Sequence, residues 1–130
     1  MDCVSNQIAG GSRMIEFVSN IVYCDKKIKR TYPELLRDEV HFTIRIDNEN
    51  FFNEPNFPIY EFMNYVDEWI EKDLEDMNYI AIDTEENPLI SFTKSEEGYK
   101  IISPWQLFAC ERLMTRNEII EAIRKFKTSN

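Results

Sequence analysis

The stretch Pro58–Met77, PIYEFMNYVDEWIEKDLEDM, decides how the rest of the chain is read. Ile59, Phe62, Met63, Val66, Trp69, Ile70, Leu74 and Met77 recur at spacings of three and four, which lines them along one side of an amphipathic helix. Pro58 suits the first helical position, where a missing N–H costs nothing. Phe57, ahead of a proline, is driven to extended geometry, so the helix is predicted to start here. Burying the stripe is worth on the order of 10 kcal/mol gross, at ~1.5–3 kcal/mol per large side chain. A helix of this length is marginal alone and needs a sheet to lie on.

The other face of this helix carries Glu61, Glu68, Glu71 and Glu75. With Asp67, Asp73 and Asp76 there are seven carboxylates against one base, Lys72, which is −6 of the chain's net −9. Glu68 and Lys72 are spaced as a favourable i,i+4 pair. Two readings stand: a solvated face that keeps the chain soluble, or a docking surface for a basic partner.

At 130 residues, 43% hydrophobic and 13% aromatic, the chain can bury one domain's core and does not have the composition of a disordered segment. A pI near 4.6 argues against direct binding of nucleic acid or an anionic membrane, which takes basic patches. It permits a basic protein partner, drawn in by electrostatic steering. No window approaches a membrane span, and MDCVSNQIAGGSRM lacks the basic start and apolar run of a signal peptide. Cys3, Cys24 and Cys110 are odd in number and scattered, as free thiols in a reducing cytoplasm would be.

Met1–Arg13 reads as a flexible tail, with Gly10-Gly11-Ser12 as its joint and Met14 as an alternative start; residues 14–130 read as one α+β domain. Ile15, Phe17, Ile21 and Tyr23 predict a first strand reaching about Cys24. Lys26, Lys27, Lys29 and Arg30 form a basic turn, and Pro33 bars a regular central strand. Val40, Phe42, Ile44 and Ile46 alternate with polar residues, which predicts a half-buried strand over Val40–Ile46. Asp47–Asn50 reads as a turn, and Phe51-Phe52 as a short strand ended by Glu54-Pro55. Tyr79–Ile82 is a strand candidate. Leu89–Thr93 and Tyr99–Ser103 read as a hairpin turning at Ser95-Glu96-Glu97-Gly98, with Gly98 free to take positive φ. Trp105–Cys110 fits a further strand, or a short helix opened by Ser103 and Pro104; the strand is the favoured reading. Thr115-Arg116-Asn117-Glu118 fits a capping box, with Met114 and Ile119 as the staple around it, and Ile119, Ile120, Ile123 and Phe126 as the apolar stripe of a last helix. The order β-β-β-α-β-β-β-(β)-α predicts an antiparallel sheet of about six strands with two helices packed on one face.

The residues build no catalytic motif. His41 is the single histidine and falls on a strand's polar face. The three glycines, Gly10, Gly11 and Gly98, cannot form a phosphate cradle or a dinucleotide fingerprint. Asp47, Asn48, Glu49 and Asn50 lack the glycine and terminal glutamate of a calcium loop. No metal and no cofactor is expected, and the chain reads as a non-enzyme. Trp105, Tyr60 and Tyr65 beside acids match the look of interface hot spots, and burial in the core explains them equally.

Three stretches carry a resemblance: FFNEPNFPIYEF (Phe51–Phe62), DTEENPLISF (Asp83–Phe92) and ISPWQLF (Ile102–Phe108). Over Val40–Phe126 the chain resembles a family of small acidic bacterial proteins that look like immunity proteins of polymorphic toxin systems. The resemblance implies a cytoplasmic, non-catalytic inhibitor that neutralises a cognate toxin. The residues assigned to partner binding from charge are Glu61, Asp67, Glu68, Glu71 and Glu75 on the helix and Asp83, Glu85 and Glu86 in the turn after it. The alternatives are a nucleic-acid mimic or phage-type inhibitor of a host defence protein, and a homodimeric structural domain.

Overall fold

The structure, a computed structural model, describes residues 15–21, 23, 39–82 and 84–128. The expected tail, the basic turn at Lys26–Arg30, Pro33, Cys3, Cys24 and Asp83 lie outside the described residues. The elements run β1 (Ile15–Ser19), β2 (Glu39–Ile46), β3 (Glu49–Pro58), α1 (Ile59–Glu71), β4 (Met77–Tyr79), β5 (Ile90–Ser95), β6 (Gly98–Ile102) and α2 (Arg116–Thr128). The fold is α+β. Among the described residues six strands are divided between two antiparallel three-stranded sheets, β1-β2-β3 and β4-β5-β6, rather than joined in one.

Aromatic side chains weld the two sheets into one core. Phe17 of β1 meets Phe92 of β5 at 6.4 Å, and Phe57 of β3 meets Tyr79 of β4 at 5.9 Å. Phe42, on the inward face of β2, reaches both helices: Phe62 of α1 at 5.7 Å and Phe126 of α2 at 5.9 Å. Trp69 of α1 closes the other side against Phe92 at 5.3 Å. The alternation of β2 is as the sequence predicts, with Val40, Phe42, Ile44 and Ile46 buried.

β3 corrects the expectation of a strand stopped at Pro55. It runs on to Pro58 because its register against β2 slips by one residue between Glu54 and Phe57, leaving Pro55 and Asn56 in a bulge. A bulge is where a strand tolerates proline, since no ladder N–H is needed there. A second slip, between Phe52 and Asn50, lets both Phe51 and Phe52 point inward. The β2–β3 turn is only Asp47-Asn48, both with positive φ (52° and 69°), as a two-residue hairpin requires.

Three further boundaries differ from expectation. β1 stops at Ser19, where the chain bends; Asn20 N–H donates to His41 O and Ile21 is exposed. Trp105–Cys110 is neither strand nor helix. Its backbone is held by side chains: Ser103 Oγ accepts from Trp105 N–H, and Gln106 Oε1 accepts from Ser103 N–H. The third difference is α1 itself, which spans 13 residues instead of 20. Lys72 caps it and Asp73 turns the chain with φ 51°. Asp73 N–H bonds Ile70 O and Leu74 N–H bonds Trp69 O, the paired closure of a Schellman motif. Met77 therefore belongs to β4, not to the helix, and β4 ends at Tyr79, so the expected strand Tyr79–Ile82 is not formed.

The capping box forms as read. Thr115 Oγ1 accepts from Glu118 N–H at 3.0 Å, and Glu118 Oε1 accepts from Thr115 N–H at 2.8 Å. The β5–β6 hairpin also forms, with Gly98 at φ +147° and 3.0 Å between a Cβ built there and Met114 O. Among the described residues no helix is long and apolar enough to cross a membrane.

Candidate protein-docking surfaces

The predicted acidic face of α1 is not one surface. Glu61 does not lie on the wet side. It is 3% exposed, and Tyr79 OH donates to its Oε1 at 2.6 Å. Its place in the first turn of α1 explains how a carboxylate can sit there, because the helix N-terminus carries partial positive charge. Asp67 is half-buried and engaged by its own chain, through Lys127 of α2 at 2.6 Å. Glu68 is exposed and paired with Lys72 at 3.3 Å. Glu71 is exposed, with no ion pair among the described residues. Glu75 is exposed too, but lies beyond the helix.

The acids that do gather are those at the end of α1. Residues 71–76 are all exposed, and they include Glu71, Asp73, Glu75 and Asp76. The last turn of α1 holds no base, and its cap residue Lys72 is paired with Glu68. One cation, from α2, holds this end together. Arg116 donates to Trp69 O and Leu74 O, both at 2.9 Å, and to Tyr99 OH at 3.1 Å. Its guanidinium stacks 4.1 Å from the Trp69 ring centroid and pairs with Asp73 at 3.4 Å. Trp69 Nε1 and Tyr99 OH both donate to Glu75 O. In the sequence Arg116 is only a spacer within the capping box, since nothing local ties it to a helix 40-odd positions earlier.

The predicted turn Asp83–Glu86 lies elsewhere. Glu85 and Glu86 are exposed, and Asp83 is outside the described residues. Asn87 holds this loop: its Oδ1 accepts from Ala81 N–H, and its Nδ2 donates to Ala81 O and Thr84 O. Glu86 Oε1 accepts from Trp105 Nε1 at 2.8 Å, which ties the loop to the segment after β6.

The two acidic regions sit at opposite ends of the second sheet. β4 begins, β5 ends and β6 begins beside the end of α1, where Lys94 N–H donates to Asp76 Oδ1. β4 ends, β5 begins and β6 ends beside the Glu85–Glu86 loop. The sequence assignment thus joined residues that the fold separates.

His41 is exposed and its Nε2 lies 2.6 Å from Asn53 Oδ1. Cys110 is a free, buried thiol whose Sγ donates to Arg112 O, and burial pushes its pKa up. Among the described residues no three His, Cys, Asp or Glu side chains gather as a metal ion would need.

The family model described as a domain of unknown function (DUF7878) matches residues 15–129, so the chain belongs to that family. No curated protein and no solved structure matches it.

Proposed function

We propose that this member of the DUF7878 family is a non-catalytic binding protein of the immunity or inhibitor type, which occludes a basic protein partner such as a toxin. The observation that carries the reading is the set of exposed carboxylates at the end of α1, Glu71, Asp73, Glu75 and Asp76, which outnumber the two cations beside them, Lys72 and Arg116. Arg116 fixes the backbone under them, so the field is presented by a rigid surface. A cationic cleft approaching this end is steered and oriented by charge, and blocked by the bulk of the domain. The chain acts without chemistry of its own.

The test starts from the native cell. The partner is captured with a photo-cross-linking residue at Glu71, purified, and titrated against the wild-type chain and an E71K/E75K variant. The expected partner is basic, loses its own activity when the wild-type chain binds, and binds the variant at least about tenfold more weakly at low salt. An acidic partner, or equal affinity for the variant at low salt, overturns the reading.

A further inference from the structure

Four large hydrophobic side chains are exposed on the segments at the far end of the second sheet. Ile80, Ile82, Ile102 and Leu107 are 46%, 59%, 41% and 62% exposed, out of seven such residues among those described. Scattered single apolar residues on a surface call for no explanation, but a cluster does. The topology brings the segments that carry these four to one end of the sheet. Ile80 directly follows the last residue of β4, and Ile102 is the last residue of β6. Ile102 stands opposite Ser91, which stands opposite Asn78, two residues before Ile80. The Glu86–Trp105 hydrogen bond then ties the loop that carries Ile82 to the segment that carries Leu107. Leu107 N–H donates to Phe51 O at 2.7 Å, and half-buried Trp105 stacks on Phe52, so the segment is fixed to the core. The side chains are exposed on a backbone that is already ordered, which lowers the entropy lost on binding.

We propose that this apolar end is the anchoring surface for a protein partner that presents an aliphatic or aromatic side chain beside Lys or Arg. The proposal rests on the reading of the chain as a binding protein, and it adds a second contact remote from the acids of α1. Charge selects the occupant. Glu85 and Glu86 are exposed next to the isoleucines, on a chain of net charge −9. A second copy would bring the same glutamates face to face across a two-fold axis. A basic partner meets them with opposite charge while its apolar side chain covers Ile82 and Leu107. That arrangement, an apolar centre with a polar rim and a Trp, is the one that carries most binding energy at interfaces.

The experiment uses the full chain, immobilised, to select short peptides from a random displayed library. Affinities of the selected peptides are then measured for wild type, I82D, L107D and E71K/E75K; all these positions are exposed, and circular dichroism checks each fold. The expected peptides join Lys or Arg to an aliphatic or aromatic residue, lose at least about tenfold in affinity for I82D and L107D, and change less than about threefold for E71K/E75K. Peptides that bind I82D and L107D as they bind wild type overturn the anchoring surface. If those same peptides are lost on E71K/E75K, the acidic end of α1 still stands as a binding site and only the present proposal fails. Selection of acidic peptides overturns both. A dimer in sedimentation velocity that I82D dissolves also overturns it, by giving the end to a second copy.

Discussion

The two ends of the second sheet both carry acids, yet they are built differently. At the end of α1 the carboxylates surround a clamp: Arg116 closes two backbone carbonyls, a tyrosine hydroxyl and a tryptophan face. At the far end Glu85 and Glu86 accompany exposed isoleucines on a loop held mainly by one asparagine. Exposed charge acts over distance and sets how fast partners meet; exposed apolar surface acts in contact and sets how long they stay. A count of acids along a sequence therefore does not locate an interface.

The largest effect is expected at the clamp. Arg116→Ala removes charge-assisted hydrogen bonds to Trp69 O and Leu74 O together with the stacking on Trp69, and should lower unfolding free energy by about 3 kcal/mol. Urea denaturation checks it; a loss below about 1 kcal/mol would mean that the helix end is held by its own Schellman closure alone. Asn87→Ala, at the other end, should cost less, about 1–2 kcal/mol, because its bonds are neutral, those to Ala81 are only partly buried and the one to Thr84 is exposed. Hydrogen exchange should quicken in residues 80–88 and leave α1 unchanged. If α1 quickens as well, the two ends are coupled and the contrast between them is lost.

Smaller changes sharpen the contrast. Asp73 holds a positive φ of 51° and a 91% exposed carboxylate beside Arg116. Glycine relieves that φ, whereas an ion pair so exposed is worth little, so Asp73→Gly should raise stability by about 0.5 kcal/mol. A fall in melting temperature would show that the charge outweighs the backbone. Cys110, whose thiol donates to Arg112 O, reports opening of the segment between β6 and α2. Burial raises its pKa, so the folded state keeps the proton where a free thiol, at about 8.5, has begun to lose it. Its alkylation should be slow near that pH in the wild type and faster in an Arg112→Ala variant, which frees the segment from Asp47 and Glu118. By the same linkage, stability falls as pH climbs from the free-thiol value through the raised one.

Much of the frame was legible in the chain. The alternation of Val40–Ile46, the capping box at Thr115–Glu118 and the turn at Gly98 are local signals, and each stands where it was read. What failed was non-local. The stripe of α1 continues in sequence to Met77, but Asp73 takes the left-handed conformation without being the glycine or asparagine that usually announces it. Glu61 sits two turns before Glu68 of the wet face, yet Tyr79, eighteen residues on, draws it inside. In NYIAI, Asn78–Ile82, apolar residues occupy both parities of the strand, so the sequence could not show that Ile80 and Ile82 face out.

The division of labour between the two ends is tested most directly by the association and dissociation rates of the purified partner. The rates are measured at several ionic strengths with wild type, E71K/E75K and I82D/L107D. The account predicts that E71K/E75K slows association and flattens its salt dependence while dissociation holds within about threefold. It predicts that I82D/L107D leaves association nearly unchanged and speeds dissociation at least about tenfold. Both variants acting on the same rate constant, or neither acting on either, would contradict it.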